Sequence, residues 1–181
     1  MATPPLADPN FDRSVVFVIE HDADGALGVV LNRIDDFGPG LDVLALGIDT
    51  MDAWLPLLAH PARLHAGGPV GDDSLIALAS SSSVTAPGWV IIGGNVGTVD
   101  LTSRPGDMGA TFHQVRVFRG YSGWGSGQLE AELDAGAWMV FDAQVDDVFC
   151  HDPTDLWRTV LRRQRGHVSW LANAPDDLSA N

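Results

Sequence analysis

An α+β fold is what this sequence predicts, and three observations carry that reading. Short apolar runs rich in β-branched residues recur along the 181 residues, two hairpin-like connections join neighbouring runs, and the helical patterns are few and short with no regular βαβ alternation. The length suits one domain over residues 1–181, and 45% hydrophobic residues suffice to fill a core.

The first element is 14-SVVFVIE-20, an apolar run that suits a buried strand. Turn chemistry at 22-DADG-25 leads into 26-ALGVVLN-32, so the two runs form a hairpin. Between about residues 41 and 58 the spacing of Leu, Ala and Trp predicts a short helix or two. A short strand at 63-RLHA-66 then ends in 67-GGPVGDD-73, where Pro69 ends hydrogen bonding and the glycines permit tight backbone angles.

Next, 74-SLIALAS-80 and 88-GWVIIGG-94 read as strands separated by the serine loop 80-SSSS-83, with a turn at 93-GGNVG-97. A strand at 114-QVRVFRG-120 feeds 120-GYSGWGSGQLEAELDAGAW-138, whose glycines predict a sharp corner with Trp124 packed beneath it. From Gln128 to about Ala135 a helix follows, with Leu129 and Leu133 on one face and Gly136 as its cap. Residues 137–142 read as another strand.

The last helix has Asp152 as N-cap, Pro153 at its first position, Trp157 and Leu161 as its apolar stripe, and Gly166 past its end. Residues from about 174 to 181 read as a loose tail.

Charge narrows the function. The 24 acidic residues face 10 basic ones, all arginine, for a net charge of -14. Such a surface repels polyanions, which argues against nucleic acid as a partner. The one basic stretch, the Arg158–Arg165 helix in 158-RTVLRRQR-165, reads as cations complementing a helix C-terminus, with direct nucleic-acid binding as the alternative. No apolar run is long enough for a membrane helix, and the N-terminal residues lack a signal-peptide pattern, so a cytoplasmic protein is expected. The single Cys150 agrees with a reducing compartment.

The glycine-rich motif fits no standard chemistry. A hydrolase elbow needs small residues on both sides of its serine, but Trp124 follows Gly123 after Ser122, and Gln128 follows Gly127 after Ser126. A phosphate loop needs spacings that are absent, and Glu130 and Glu132 in the first helical turns oppose an anion. No cofactor is expected. For metals, 22-DADG-25 places its glycine too early for a calcium loop, and His21 with His65 is too small a set for zinc.

Taken together, 8-DPNFDRSVVFVIEHDADGALGVVLNR-33, 67-GGPV-70, 120-GYSGWGSGQLEAELDAGAW-138 and 151-HDPTDLWRTVLRR-163 resemble the YqgE/AlgH family of bacterial proteins. Ser122 stands where the family usually has alanine, and Ile34 where it usually has proline. The resemblance implies a mixed, bifurcated β-sheet with a small barrel-like part, surrounded by short helices. It also implies a protein without established catalytic residues, whose family takes part of its name from a proposed transcriptional regulator of alginate production. No helix-turn-helix signal accompanies that label.

The expected function is therefore non-enzymatic binding or regulation through an unknown protein or small-molecule partner. The candidate ligand- or partner-binding residues are Glu20, His21, Asn32, Gly67, Gly68, Trp124 and Gln128, polar and glycine positions at predicted strand ends and turns. The alternative is an enzyme, possibly hydrolytic in class, using His21 with Glu20 or Glu130 as acid and base.

Overall fold

The computed structural model describes residues 1–4, 6, 8–35, 46–83 and 85–174. Among the described residues the strands are β1 (Val16–Asp22), β2 (Gly25–Val30), β3 (His65–Ala66), β4 (Val70–Ser81), β5 (Trp89–Gly93), β6 (Val96–Val99) and β7 (Phe112–Gly125). The hydrogen-bonded order is β1-β2-β7-β4-β6-β5, with β3 joining β7 from the side. Among the described residues the α-helices are α1 (Met51–Trp54), α2 (Gln128–Asp134), α3 (Val145–Val148) and α4 (Leu156–Arg162), all short. The result is an α+β fold whose sheet is nearly closed and barrel-like.

β7 organises the molecule because it belongs to two sheets in succession. Its first part pairs antiparallel with β4 from Phe112 to Tyr121, and its last part pairs antiparallel with β2 from Ser122 to Gly125. β3 fills the fork between them, pairing parallel at Phe118 and Arg119. Side chains alternate across β7: Val115 and Val117 enter the cluster with Trp54, Trp89 and Phe112, while Phe118 faces the cluster built on Trp157 and Leu161 of α4.

The fork is closed by glycine backbone. Gly67 N–H donates to Arg119 C=O at 2.7 Å, and Gly67 C=O accepts from Val30 N–H at 2.8 Å and from Ser122 Oγ at 3.2 Å. A Cβ on Gly67 would lie 2.3 Å from Gly120 O, and one on Gly68 would lie 2.3 Å from Tyr121 C. Gly120 itself adopts φ +66, a left-handed angle that glycine takes without strain.

Several expectations are corrected here. The corner expected within 120-GYSGWGSG-127 comes only at its end: the strand is continuous to Gly125, and the chain turns into the helix at Ser126 and Gly127. Residues 137–142 form no strand beyond one antiparallel bridge from Ala2 to Trp138. Backbone bonds to Met1 and Thr3 hold this segment, and no continuous partner strand runs beside it. α4 starts at Leu156, after the expected cap: Asp152 instead accepts from Thr154 and Asp155 N–H in a preceding turn.

Serines 80 and 81 are buried at the end of β4 rather than in a loop. The turn at 94–95 leads into β6, an unanticipated strand, and α3 was unanticipated too. Gly136 caps α2 as expected, with Gly136 N–H on Leu133 C=O and Ala137 N–H on Glu132 C=O, both at 2.9 Å. The helices expected between 41 and 58 are observed as α1 and a 3-10 turn over Leu55–Leu57, while residues 41–45 lie outside the described residues. The expected loose tail lies outside them from residue 175.

Gly120→Ala combines a left-handed angle with a Cβ 2.7 Å from Gly68 O, so it should lower unfolding free energy in urea by about 2 kcal/mol or more. Gly123→Ala meets nothing closer than Tyr121 at 3.5 Å and should stay within about 1 kcal/mol of the parent.

Candidate functional site

The β1–β2 hairpin, the end of β7 and α2 come together around a carboxylate. Trp124 leaves β7 beneath the turn, Trp138 follows α2 after its glycine cap, and both are buried. Their ring centroids are 5.7 Å apart in an edge-on arrangement, and Phe11 contacts each, at 6.1 Å from Trp124 and 5.3 Å from Trp138. Both indole N–H groups donate to the same oxygen, Glu132 Oε2, at 3.0 Å from Trp124 and 2.7 Å from Trp138. Gln128 Nε2 donates to Glu132 Oε1 at 2.9 Å, and Gln128 Oε1 accepts from Gly125 N–H at 3.0 Å. Burial pushes the Glu132 carboxyl up, but the bonds from Trp138, Gln128 and Trp124 outweigh it and leave the pKa below its ordinary 4.5.

Beside this cluster lies a cavity of about 250 Å³. Its walls are Val15–Val18 of the β1 side and Met139–Ala143, and its floor includes Leu31, Trp124, Leu129 and Leu133. Val18 and Val140 are exposed, at 40% and 76%, so the cavity opens to solvent. Polar groups at its lining are Asp142, Asp147 and Arg163. Arg163 grips Asp147 with both terminal nitrogens at 2.5 Å and also donates to Asp142 C=O at 3.3 Å. That ion pair has almost no exposure on the Asp147 side, so it fixes the end of α4 against α3.

Of the anticipated residues, Trp124 lines this cavity, and Gln128 supports it through Glu132. Glu20 and His21 lie exposed toward the end of β1. His21 Nε2 is 2.6 Å from Glu130 Oε1 with both side chains about half exposed, and the Glu130 backbone amide and then His21 hold that carboxyl below its usual range. Asn32 is elsewhere: its Oδ1 accepts from Val15 N–H at 2.8 Å and its Nδ2 donates to Arg13 C=O at 2.9 Å, tying the entry of β1 to the exit of β2. Gly67 and Gly68 sit at the fork of β7.

Val18, Trp138, Val140, Phe141, Asp142 and Arg163 escaped the sequence reading. Val18 sits in the strand-like run 14–20, Arg163 in the basic stretch 158–165, and the other four in residues 137–142, whose apolar pattern reads as an ordinary strand.

Other chemistries find little support. Ser122 is fully buried against Gly67 C=O, and Ser126 Oγ donates to Ala23 C=O at 2.6 Å. His65 is buried beside Phe118 with Nδ1 at 3.2 Å from Leu31 C=O, and burial, then Arg116, lowers its pKa to about 3, so the ring is neutral. In the Arg158–Arg165 stretch, Arg162 bonds Asp155 at 2.8 Å and Arg163 is held by Asp147, so two of its four arginines are engaged by carboxylates. Among the described residues no group of three or more His, Cys, Asp or Glu could hold a metal ion, and no helix is long and apolar enough to cross a membrane.

Comparison with known proteins gives a consistent picture. A family model described as AlgH-like matches residues 1–169. A UPF0301 protein of Thermobifida fusca is 47% identical over 191 residues, spanning 100% of this chain and 92% of that protein. Another from Streptomyces coelicolor is 44% identical over 186 residues, with 100% and 92% covered. The crystal structure of a Corynebacterium diphtheriae protein is similar at TM-score 0.82 and 26% identity, over 95% of this chain and 88% of that one. The solution structure of the AlgH protein from Pseudomonas aeruginosa is similar at TM-score 0.63 and 27% identity, over 97% and 91%.

Replacing Glu132 by Leu strands two indole donors and should cost about 1–3 kcal/mol of unfolding free energy in urea. Because the folded pKa is depressed, the stabilisation is complete above about 4.5 and is lost as pH falls through the folded value. An acid titration of the parent should therefore lose part of that difference, and a Glu132→Leu protein should not.

Proposed function

The chain belongs to the AlgH-like family, and from that premise we propose that it is a non-enzymatic binding protein whose ligand site is the cavity beside β1. The observation that carries this reading is an open, mainly apolar cavity floored by Trp124 and framed by the Glu132 and Asp147–Arg163 bonds. Apolar walls with a few fixed polar groups are the usual make-up of a binding pocket. Glu20, His21 and Gln128 then belong to its surroundings through β1 and α2, and Asn32, Gly67 and Gly68 hold the strands that carry it. A regulatory role, in this reading, works through occupancy of the cavity in the cytoplasm, and the charge of -14 disfavours direct contact with nucleic acid.

A fluorescent apolar probe such as anilinonaphthalene sulfonate should bind with enhanced emission and raise the melting temperature, since a ligand of the native state stabilises it by mass action. Val18→Glu, with a carboxylate at the cavity wall that repels the probe's sulfonate, should abolish both effects while leaving the parent's unliganded melting temperature within a few degrees. Equal probe binding by the variant would remove the reading.

The 2.6 Å contact of His21 with Glu130 favours a second reading, acid–base catalysis at an exposed pair. This predicts turnover on a panel of ester, amide and phosphoester substrates that His21→Ala lowers at least about a hundredfold. No turnover, or turnover indifferent to His21→Ala, eliminates it.

A further inference from the structure

The cavity beside β1 is walled like a slot for an extended chain. Val15–Val18 form one side and Met139–Ala143 the other, each an unbroken run of consecutive residues. Neighbouring residues of an extended chain point to opposite faces, so a cavity that touches all of them meets the chain edge-on. β1 is the terminal strand in the sheet order. Val15 directs its N–H to Asn32 and its C=O to Leu31 on the β2 side, so Val16 and Val18 direct theirs outward by the alternation of antiparallel pairing. Across the cavity, among the described residues, the backbone groups of Val140, Phe141 and Ala143 have no hydrogen-bond partner.

One end of this slot is already used in that way. Ala2 N–H donates to Ser14 C=O at 3.0 Å, Thr3 N–H donates to Ala137 C=O at 2.9 Å, and Met1 C=O accepts from Met139 N–H at 2.8 Å. Residues 1–3 thus lie extended between the entry of β1 and residues 137–139, and Ala2 bridges Trp138 in antiparallel sense. Ser14 C=O belongs to the same outward series as the groups of Val16 and Val18, and Met1 lines the cavity. The cavity continues a backbone-pairing interface that the fold itself contains.

We propose that the slot takes an extended segment of a partner protein, which adds to the free edge of β1 and faces residues 139–143. The inference rests on the binding reading above and specifies its occupant. At about 3.3 Å per residue the β1 wall spans roughly 10 Å, enough for three or four residues of the segment. Their inward side chains are apolar, matching Phe17, Leu129, Leu133 and Phe141. A lysine or arginine flanks them, because Asp142 is an exposed carboxylate on the lining without an ion pair among the described residues, and the chain carries -14 overall. That same charge, with no lysine in the sequence, disfavours a second copy of this chain as occupant.

The test uses a blocked hexapeptide, Lys-Val-Thr-Val-Thr-Lys, titrated into the isotope-labelled protein with amide exchange read by NMR. Binding should slow exchange at Val16, Val18 and Phe141, the last in step with Met139, whose N–H already faces residue 1. Val18→Pro deletes one outward N–H at an edge position and should weaken the peptide about fivefold to tenfold. Asp142→Lys, which leaves the strand intact, should weaken it at low salt and much less at high salt.

Peptide binding that leaves those amides unprotected, or that neither variant weakens, overturns the slot. Anilinonaphthalene sulfonate binding with no peptide binding overturns it too while leaving the broader reading standing, and binding of neither removes both. Protection of the same amides without peptide, rising with protein concentration, assigns the edge to a second copy and overturns the heterologous partner.

Discussion

Everything in this molecule hangs on a place where backbone touches backbone. β7 must leave β4 and join β2 without losing its hydrogen bonds, and it does so where Gly120 takes a left-handed angle and Gly67 wedges into the fork. One residue there serves three strands, because Gly67 bonds Arg119 on β7 and Val30 on β2 while β3 runs directly into it. Ser122 adds its hydroxyl to the same carbonyl from a fully buried position. No side chain fits between these segments, so glycine at both positions is a steric demand of the crossing.

That crossing decides where the candidate site lies. By delivering the end of β7 to β2, it places Trp124 opposite Ala26 and directs the chain into α2, whose Glu132 then collects both indoles. The hairpin partner β1 is left at the edge of the sheet, and the segment after α2 returns across from it. Between the two, the cavity is bounded at its other end by the Asp147–Arg163 pair, which joins α4 to α3. The site is thus a by-product of the fork: an edge strand, an extended segment without strand partners, and an aromatic floor held by one carboxylate.

Local chemistry made much of this legible. The β1–β2 hairpin follows from 22-DADG-25 between two apolar runs, and the Gly136 cap of α2 follows from the end of its apolar face. What resisted reading was non-local. The glycines of 120-GYSGWG-125 look like a corner because nothing nearby in sequence reveals that residues 67 and 68 press against them. Residues 137–142 carry a strand-like pattern but pair mainly with residues 1–3, so their apolar character serves the cavity and the Trp138 contact. Asp152 has the identity of a helix cap but closes a turn with Thr154, and α4 begins only at Leu156. The Glu132 hub was invisible for a related reason: it lies on the predicted polar face, and only the return of Trp138 gives it a second indole.

Native-state amide hydrogen exchange tests the role of the fork most directly. If the Gly67–Gly120 crossing unites the sheet, the amides of Gly67 and Val30 should exchange only through global unfolding, with the same opening free energy as Val117 in the β4–β7 part. A β1–β2 unit, read at Val30, that opens several kcal/mol more easily than Val117 would contradict it, because the two halves would then be joined by chain connectivity alone.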